Sequence, residues 1–592
     1  MNKTNYDESN CYKYVNDQGL PVRVHDIVAR SAGLYGDMAA YMVKADRESP
    51  YRPITYREFY DDVNYLGAVM TELGLKGKKV ALIGENCYQW IVTYVACAAG
   101  AGVVAPLGTE LRPVEINNLL AAAGAEAIFY TARYDDIVDD LDVTLKIRMN
   151  RYEGETNPAG VRTWRGLLAE GKRLPAGIVE AFRTQEVDPY AMFLLMFTSG
   201  TTGDPKGAMI NSQHIGPNAW DMEQAHNIHP GDITVSILPI YHIFEAVMGQ
   251  MFMLAHGATI CFGDGVKYLR HNMREVGVTV QLLVPLLLEN FYKTVWRNAK
   301  RDGREDELKR KIDEYRKMRV EHEQRYGKDD DSKLRERARE IFKEEQAEFG
   351  GRFDSIFTGA AAIDARFVRG LQDIGVKITQ GYGMTEAGPL VSTTPYFSDT
   401  YGKAGSVGPS TPSGELAISE PGDDGVGEIL WKSPCQMIGY YNMPEETGRA
   451  LKDGWYYTGD YGFLDENDWL YVTGRKHNII VTKTGKNIFP EEIEFDLAKH
   501  PYIAELMIYG SEDKVKGGRA VSVQIIPDYE AVKEDKGELT DEEMLSLMRE
   551  IVKDFNETLP NYKRIRIVDI RTTEFVRTAT KKLMRQASID TL

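Results

Sequence analysis

Ten consecutive residues, positions 198–207, carry the clearest chemical signal in the chain. They read Thr-Ser-Gly-Thr-Thr-Gly-Asp-Pro-Lys-Gly, and an apolar run at 191–197 that predicts a buried strand comes directly before them. Glycines let backbone N–H groups converge on an anion, hydroxyls donate hydrogen bonds or bind a metal, and a lysine adds a compact positive charge. The segment therefore predicts a loop at a strand end that holds the phosphates of a nucleotide. Its candidate phosphate-binding residues are Thr198, Ser199, Gly200, Thr201, Thr202, Gly203 and Lys206.

The residues around Lys206 distinguish this predicted loop from two other kinds of glycine-rich segment, the common P-loop and the flexible linker. The common P-loop has a glycine directly before its lysine and a Ser or Thr directly after it, whereas Lys206 lies between Pro205 and Gly207. A flexible interdomain linker does not end in Asp-Pro-Lys-Gly beside a strand-like apolar run. An ordinary P-loop kinase or GTPase is thus disfavoured, and so is a linker.

The sequence Thr-Ser-Gly-Thr-Thr-Gly-x-Pro-Lys-Gly resembles the phosphate loop of adenylate-forming enzymes. This superfamily includes acyl-CoA synthetases, luciferases and the adenylation domains of peptide synthetases. The loop indicates the superfamily and leaves the substrate open.

A second motif, Gln-Gly-Tyr-Gly-Met-Thr-Glu, occupies residues 380–386. Taken alone, it fits a turn with a surface charge as well as a base-stacking tyrosine beside a metal-binding carboxylate. Together with the phosphate loop it resembles the family's adenine- and magnesium-binding motif. The resemblance places Tyr382 against adenine and Mg²⁺ on Glu386. Because Mg²⁺ prefers oxygen ligands, Thr198 is a chemically reasonable second ligand. The other predicted nucleotide contacts in this motif are Gly381, Gly383, Met384 and Thr385.

Small residues at Gly359, Ala360 and Ala361 would let a flat base approach the backbone, although small residues also pack at helix starts. The family has a similar adenine wall at this place. Proline often follows it there, whereas this chain has Ala362.

Residues 238–245 read Leu-Pro-Ile-Tyr-His-Ile-Phe-Glu. A histidine among apolar residues is more often packed in a core than catalytic. The segment resembles the family stretch in which an aromatic residue or histidine lies beside the acyl carboxylate, and His-Ile-Phe-Glu is similar to long-chain fatty acyl-CoA synthetases. The resemblance implies that His242 hydrogen-bonds the carboxylate or the AMP ester, and that Tyr241 and Phe244 line an acyl path.

Two later motifs supply further candidates. Asp460 follows a glycine in Trp-Tyr-Tyr-Thr-Gly-Asp, and Arg475 begins Arg-Lys-His-Asn. A carboxylate can accept hydrogen bonds from two neighbouring ribose hydroxyls, and the resemblance makes Asp460 the ribose ligand with Arg475 as its companion. An ordinary surface ion pair remains the alternative. The resemblance also makes His477 the hinge between domains, where the family usually has Lys or Asp, and a histidine is mostly uncharged at pH 7.

The C-terminal sequence Arg-Thr-Ala-Thr-Lys-Lys-Leu-Met-Arg at 577–585 resembles the family's terminal motif with its catalytic lysine. The usual Gly-Lys is Lys581-Lys582 in this chain. Alignment on Thr-Ala-Thr favours Lys582, and Lys581 remains a rival. Gly485 and Lys486 are the predicted CoA-binding residues.

The elements that would position these motifs begin with alternating helices and strands. Thr55 and Glu58 form a capping box before a run with helical spacing. Short apolar strands are predicted at 80–83, 103–105 and 127–130. Such alternation predicts a parallel sheet with helices on both faces.

Residues 297–348 are dense in Lys, Arg, Glu and Asp. This composition predicts solvated helices, broken near 327–331, that project from the core. The flanking segments 282–288 and 353–357 are apolar, so the charged helices are an insertion within a domain. A spacer and a partner-binding arm are both open interpretations.

The pattern changes again after residue 474, where a helix opened by Pro490 precedes two strands and a second capping box at Thr540. We predict an α/β protein with a large N-terminal domain of layered α/β subdomains at 1–474 and a smaller, mobile α+β C-terminal lid domain at 475–592. The resemblance places the active site between the two domains.

Composition restricts the partners and the compartment. The 592-residue chain has a formal net charge of −17, which argues against nucleic acid, because phosphate contacts need clustered Lys and Arg. Five cysteines without paired metal spacing indicate a reducing compartment. The polar N-terminus lacks a secretory signal, and no apolar run reaches the ~20 residues of a spanning helix. We expect a cytoplasmic protein without a transmembrane segment, and peripheral membrane contact stays open.

The family resemblance implies ATP-dependent activation of a small-molecule carboxylic acid to acyl-AMP and then to acyl-CoA, with Mg²⁺ as cofactor and ATP and CoA as co-substrates. A medium- or long-chain fatty acid is the favoured acid because of the segment at 242–245 and the apolar run at 282–288. One alternative is transfer to a carrier-protein thiol. The other is a catalytically impaired nucleotide-binding protein whose charged insertion binds a partner.

Overall fold

The computed structural model describes residues 22–199, 205–326, 332–396, 400–481, 487–512, 519–577 and 583–590. The chain divides into two compact units. Unit 1 comprises Met1–Leu416, Trp431–Tyr456 and Asp468–Leu470. Unit 2 comprises Ala417–Leu430, Tyr457–Asn467 and Tyr471–Leu592.

The strands of the described residues are numbered in chain order. They are β1 (Ala39–Val43), β2 (Arg52–Thr55), β3 (Lys79–Ile83), β4 (Val103–Leu107), β5 (Ala125–Thr131), β6 (Leu145–Met149), β7 (Leu194–Ser199), β8 (Pro205–Ile210), β9 (Ile233–Ser236), β10 (Thr259–Phe262), β11 (Val280–Leu283), β12 (Ser355–Thr358), β13 (Lys377–Met384), β14 (Gly388–Thr393), β15 (Glu415–Ser419), β16 (Gly427–Lys432), β17 (Gly439–Tyr440), β18 (Leu451–Lys452), β19 (Trp455–Leu464), β20 (Leu470–Arg475), β21 (Ile480–Val481), β22 (Asn487–Ile488), β23 (Ile503–Glu512), β24 (Arg519–Pro527) and β25 (Ile567–Ile570).

The α-helices are numbered in the same way. They are α1 (Val24–Tyr35), α2 (Tyr56–Glu72), α3 (Tyr88–Ala96), α4 (Pro113–Ala123), α5 (Trp164–Gly171), α6 (Ala176–Arg183), α7 (Ser212–Ala225), α8 (Met253–Ala255), α9 (Leu269–Val276), α10 (Pro285–Arg301), α11 (Glu305–Tyr326), α12 (Ser332–Ile341), α13 (Lys343–Ala347), α14 (Ala365–Gln372), α15 (Pro444–Ala450), α16 (Pro490–Leu497), α17 (Tyr529–Lys536), α18 (Asp541–Asn556) and α19 (Arg585–Asp590).

Among the described residues, three sheets lie wholly within unit 1. A seven-stranded sheet has the order β17-β8-β7-β4-β3-β5-β6, in which β6, β5, β3, β4 and β7 are parallel neighbours and β8 is antiparallel to β7. Two four-stranded sheets have the orders β2-β1-β10-β9 and β11-β12-β13-β14. The predicted strands at 80–83, 103–105 and 127–130 all lie in the seven-stranded sheet, as β3, β4 and β5.

The predicted capping box is present at the start of α2. The Thr55 side chain accepts a hydrogen bond from the Glu58 backbone N–H, and the Glu58 carboxylate accepts one from the Thr55 N–H. Phe59, Val63 and Leu66 then lie on the buried face of the helix. Helix α3 continues as a π-helical segment, Cys97–Ala101, in which Gly100 takes φ +104°, and the chain then enters β4. A left-handed glycine ends the helix so that the strand can start.

Contrary to the prediction, the charged insertion packs on the core and does not project from it. Leu308 and Ile312 of α11 and Leu334 and Phe342 beside them are buried in one apolar cluster with the Phe367 face of α14. Helices α11 and α12 therefore each have a narrow apolar face under a charged surface, and the composition alone hid that face. The predicted break at 327–331 lies outside the described residues.

Unit 2 has its own core and a three-stranded sheet, β23-β24-β25, with a two-stranded β21-β22 pair. Helices α16 and α18 bury Ile493, Leu497 and Met548 against Ile508 and Val523 of that sheet. The capping box of Thr540 and Glu543 starts α18 as predicted. Strands β15, β16, β19 and β20 each contain a point at which the chain passes from one unit to the other. The predicted domain limit at 474/475 stays a prediction.

Within the described ranges, no helix combines the length and the apolarity that crossing a bilayer requires.

Candidate active site

The phosphate-loop motif begins on β7 and ends on β8. These strands pair antiparallel, with Thr198 opposite Lys206 and Ser199 opposite Pro205. Gly200, Thr201, Thr202 and Gly203 lie outside the described residues. The structure thus brings the first hydroxyl and the lysine of the motif side by side at one sheet edge.

Glu386 lies in the turn between β13 and β14, which pair antiparallel. The Thr198 hydroxyl donates a hydrogen bond of 3.1 Å to its Oε1. The two predicted Mg²⁺ ligands, separated by 188 positions in the sequence, are therefore neighbours. A carboxylate and a hydroxyl oxygen fit a hard cation that takes its other ligands from water and phosphate. The described residues contain no cluster of three or more His, Cys, Asp or Glu side chains that could hold a metal by itself.

Tyr440 joins this group, although no sequence motif indicated it. Its hydroxyl donates to Oε1 of Glu386 at 3.2 Å, and the Nζ of Lys206 lies 5.3 Å from the centre of its ring. Tyr440 reaches this place because β17, only two residues long, pairs with β8 at Ala208 and Met209. A two-residue strand has no pattern by which the sequence could reveal it.

His214 supports the turn that carries Glu386. Its Nε2 lies 2.8 Å from the carbonyl oxygen of Thr385, so this nitrogen donates to the carbonyl. Burial lowers the pKa of His214 to about 4, because the charged imidazolium would lose its hydration. The ring is neutral at physiological pH and acts as a fixed hydrogen-bond donor beneath the turn. A histidine early in α7 carried no signal for this role.

The predicted adenine segments lie beside each other. Strands β12 and β13 are parallel, and Thr358 lies opposite Gln380. A Cβ atom at Gly359 would lie 2.9 Å from the carbonyl oxygen of Gly381, so only glycine permits this approach. Ala360, with φ +69°, and Ala361 are exposed. The structure therefore leaves an open surface of small residues next to Tyr382, Gly383, Met384 and Thr385.

The segment around His242 is held by its neighbours. Asn86 donates through Nδ2 to the Leu238 carbonyl at 2.7 Å and accepts from the Ile240 N–H at 3.0 Å. The His242 side chain is partly exposed, and its carbonyl accepts from the Ala246 N–H at 3.0 Å as a π-helix, Phe244–Phe252, begins. Asn86 thereby fixes the loop that presents His242.

Phe244 connects this segment to the adenine wall. Its ring centre lies 5.3 Å from that of Phe357 on β12, and its Cζ would lie 3.6 Å from a Cβ at Gly359. Phe357 also lines a small cavity of unit 1, whose lining mixes apolar residues such as Met222 and Phe252 with the polar His226 and Thr379. Tyr241 points elsewhere, since its hydroxyl donates to Glu110 at 2.7 Å.

In unit 2, Asp460 and Arg475 form the pair that the sequence suggested. The Nε of Arg475 lies 3.0 Å from Oδ1 of Asp460. Sequence analysis missed a second ion pair, in which Lys476 Nζ lies 2.5 Å from Oε2 of Glu428. The Oε1 atom of Glu428 accepts a hydrogen bond from the Gly459 N–H at 3.2 Å. Both pairs hold the turn that contains Asp460.

His477 is exposed in the short 3₁₀ turn Lys476–Asn478. Gly485, Lys486, Lys581 and Lys582 lie outside the described residues.

The residues on both sides of the lysine pair are fixed to unit 2. Arg577 and Leu583 form an antiparallel bridge, and the Met584 N–H donates to the Val576 carbonyl at 2.8 Å. Arg585 then bonds Glu494 at 2.7 Å, and these carboxylate contacts raise the pKa of Arg585 against the opposing effect of its burial. The lysine segment therefore starts and ends at anchored positions.

Comparison with known families decides the assignment. The model of the AMP-binding enzyme matches residues 28–441, and the model of the AMP-binding enzyme C-terminal domain matches residues 477–592. The chain belongs to the AMP-binding enzyme family. The two family models together cover most of this AMP-binding enzyme, including the motifs at 198–207 and 380–386.

Individual relatives of this AMP-binding enzyme include ligases of different acids. The chain is 28% identical over 517 residues to the rat (Rattus norvegicus) long-chain-fatty-acid–CoA ligase ACSBG1, covering 84% of this chain and 70% of that protein. It is 28% identical over 493 residues to the indoleacetate–CoA ligase of Aromatoleum aromaticum, covering 81% and 84%. Among solved structures, O-succinylbenzoate coenzyme A synthetase (MenE) from Bacillus subtilis in complex with ATP and magnesium ion matches with a TM-score of 0.70 at 20% identity, covering 95% of this chain and 99% of that one.

These matches confirm the predicted superfamily, the α/β class with its large N-terminal and smaller C-terminal parts, and the predicted enzyme class. The AMP-binding enzyme is an acid–thiol ligase. The roles predicted for single site residues remain predictions.

Proposed function

We propose that this AMP-binding enzyme uses ATP to convert an apolar carboxylic acid, with a medium- or long-chain fatty acid as the favoured substrate, into acyl-AMP and then into acyl-CoA. The observation that carries the proposal is the meeting of Thr198, Lys206 and Glu386 at one edge of unit 1. A hydroxyl, an ammonium group and a carboxylate at the foot of a Gly/Thr-rich loop suit a polyphosphate with its metal ion.

In the first step, a carboxylate oxygen of the acid attacks the α-phosphorus of ATP. A new oxygen–phosphorus bond forms, and pyrophosphate leaves with the electron pair of the bond that breaks. Lys206 and Lys582 supply positive charge where negative charge accumulates. Glu386 and Thr198 would hold Mg²⁺, which neutralises phosphate charge when it is bound. Tyr382 with the Gly359 wall would bind adenine, and Asp460 with Arg475 would bind ribose.

In the second step, the sulfur of CoA attacks the acyl carbon. The carbon–oxygen bond to AMP breaks, AMP leaves with the electron pair, and the thiol proton passes to solvent. We assign the CoA contacts to Gly485 and Lys486, the domain hinge to His477, and a hydrogen bond to the acyl carboxylate to His242.

Two observations favour an apolar acid. His242 is followed by two buried apolar residues, Ile243 and Phe244, and the ring of Phe244 contacts that of Phe357. The relatives include ligases of long-chain fatty acids. The indoleacetate–CoA ligase, matched at the same identity, makes an aryl acid the second candidate.

Acid-dependent pyrophosphate release tests the proposal. A panel from acetate to palmitate with indoleacetate and other aryl acids is assayed with ATP and Mg²⁺, first without and then with CoA or an acyl carrier protein. We expect release to increase with saturated acids of medium or long chain and thioester to form with CoA. Greater turnover of aryl acids would reject the fatty-acid assignment, and thioester formation only on the carrier protein would reject CoA. No acid-dependent release with any acid would reject catalysis.

A further inference from the structure

The segment 437–441 binds both halves of the unit 1 phosphate site through its backbone. The Met437 N–H donates to the carbonyl of Glu386 at 2.8 Å. The Tyr441 N–H donates to the carbonyl of Gly207 at 2.7 Å, directly after Lys206. One short stretch of chain therefore fixes the metal-binding turn relative to the phosphate-loop strand.

Within this segment, the side chain of Tyr440 contacts both the carboxylate of Glu386 and the ammonium group of Lys206. Its hydroxyl lies 3.2 Å from Oε1 of Glu386, and that oxygen also accepts from Thr198 at 3.1 Å. Its ring lies 5.3 Å from the ammonium of Lys206. Tyr440 is only 8% exposed, so the hydroxyl has little access to water and its bond to Glu386 is well defined.

Each contact restricts a flexible side chain. A glutamate that accepts two hydrogen bonds on one oxygen has lost most of its rotamer freedom before a metal arrives. A lysine ammonium near the face of an aromatic ring is attracted by the ring quadrupole, and this lowers the number of positions it samples. Both side chains are then held in place before the nucleotide binds.

We propose that Tyr440 is a positioning residue that pre-orients Glu386 for Mg²⁺ and Lys206 for the phosphates of ATP. This inference rests on the proposed function and extends it. Tyr440 acts through its two neighbours and touches no reacting atom. Its hydroxyl serves the metal ligand and its ring serves the lysine, so the two roles are separable by substitution.

The test compares Tyr440→Phe, Tyr440→Leu and the control Tyr441→Phe. Tyr441 is adjacent in sequence, but its hydroxyl accepts from Lys79 Nζ at 3.1 Å, away from Glu386. Two quantities are measured: the dissociation constant of ATP by calorimetry without acid over a Mg²⁺ series, and the Mg²⁺ dependence of acid-dependent pyrophosphate release.

Tyr440→Phe should raise the Mg²⁺ concentration for half-maximal ATP binding by about tenfold, because a hydrogen bond to a charged group is lost. Tyr440→Leu should in addition weaken ATP binding at saturating Mg²⁺ by about threefold, because the ring is lost. Tyr441→Phe should match the unchanged protein. Thioester formation from pre-made acyl-AMP should be retained in every variant, which also shows that each one folds.

An unchanged Mg²⁺ midpoint in Tyr440→Phe would overturn the inference, and so would an equal shift in Tyr441→Phe. If the unchanged protein binds ATP with Mg²⁺ but releases no pyrophosphate with any acid, the proposed function fails while the role of Tyr440 stands. Absence of Mg²⁺-dependent ATP binding in the unchanged protein would reject the role of Tyr440.

Discussion

The carboxylate of Asp460 is almost completely buried, while the guanidinium of Arg475, 3.0 Å away, is about half exposed. The turn before Asp460 is fixed by the left-handed Gly459, with φ +70°, and by the bond from the Asp460 N–H to the Thr458 hydroxyl at 3.0 Å. A carboxylate held in one orientation by backbone and cation is suited to bind two adjacent hydroxyls. The same geometry would also serve as a structural ion pair.

Nucleotide selectivity separates these two roles of Asp460. If it binds ribose, the unchanged enzyme should prefer ATP over 2′-deoxy-ATP and 3′-deoxy-ATP in kcat/KM, and Asp460→Ala should remove most of that preference. The loss should be about tenfold or more, since hydrogen bonds to a charged group contribute ~1.5–3 kcal/mol. The control is Glu466→Ala, an exposed residue of the same unit. An equal decrease with all three nucleotides would indicate a structural pair only.

The two adjacent lysines near the C-terminus give a second prediction. Lys582→Ala should decrease acyl-adenylate formation by about a hundredfold or more, because a cation at the phosphates stabilises the developing charge. Thioester formation from pre-made acyl-AMP should be nearly unchanged. Both half-reactions are measured with the same acid.

Lys581→Ala is the matched control, since it replaces the neighbouring lysine and alters the net charge by the same amount. We expect at most a small effect in both half-reactions. If Lys581→Ala abolishes adenylation and Lys582→Ala does not, the catalytic role belongs to Lys581.

Local sequence patterns predicted several elements of this fold. The capping boxes at Thr55 and Thr540 depend on residues three positions apart, so their structures follow from local geometry. The meeting of Thr198 and Glu386 was implied by family resemblance and by no pattern within the chain. Tyr440 and His214 were missed because their roles arise from contacts between distant segments.

The run at 282–288 shows where periodicity stops being decisive. The sequence shows one continuous apolar stretch there, whereas in the structure β11 ends at Leu283 and α10 begins at Pro285. Proline at the first helical position is a local start signal. An apolar run alone cannot distinguish a buried strand from the first turn of a buried helix.

The packed insertion leads to a prediction about stability. The buried carboxylate of Asp373, at the end of α14, bonds Arg316 of α11 at 2.6 Å and lies 3.7 Å from Arg319. The hydrogen bond to Asp373 and the negative charge of its carboxylate raise the pKa of Arg316, against the lowering effect of the arginine's own partial burial. Asp373→Ala should lower the free energy of unfolding by about 2 kcal/mol, because it removes hydrogen bonds between charged groups.

Asp313→Ala is the matched control for Asp373→Ala. Asp313 lies 3.7 Å from the same Arg316, but its side chain is 68% exposed. An exposed ion pair of this kind contributes about 0.5 kcal/mol or less to the free energy of unfolding. The two variants are compared by denaturant unfolding. Equal effects would mean that the contact of α11 with Asp373 does not hold the insertion on unit 1.

Glu245 gives a prediction about pH. Its carboxyl is buried beside the neutral groups of Ser236, at 2.6 Å, and Gln250, at 2.9 Å. Burial raises the pKa of Glu245 from 4.5 to about 7, because the charged form loses its hydration. Tyr41, the other titratable group facing it, has a pKa raised well above its ordinary value by burial, so it stays uncharged. The folded protein therefore keeps this proton at pH values where the unfolded chain has released it.

The sign of the effect follows from this difference in proton binding. The stabilising contribution of Glu245 is fully present below pH 4.5 and is lost as the pH rises through about 7. Glu245→Gln is neutral throughout, so its free energy of unfolding should increase relative to the unchanged protein by about 3 kcal/mol between pH 4.5 and pH 8. Denaturant unfolding of both proteins over this range measures the difference. Burial also raises the pKa of Asp221 to about 6, but both proteins contain Asp221, so its contribution to the pH dependence cancels. Glu126→Gln makes the same substitution at an exposed carboxylate beside Lys78 and is the control for the loss of one surface charge. Parallel curves for Glu245→Gln would contradict a neutral buried carboxyl beside Ser236.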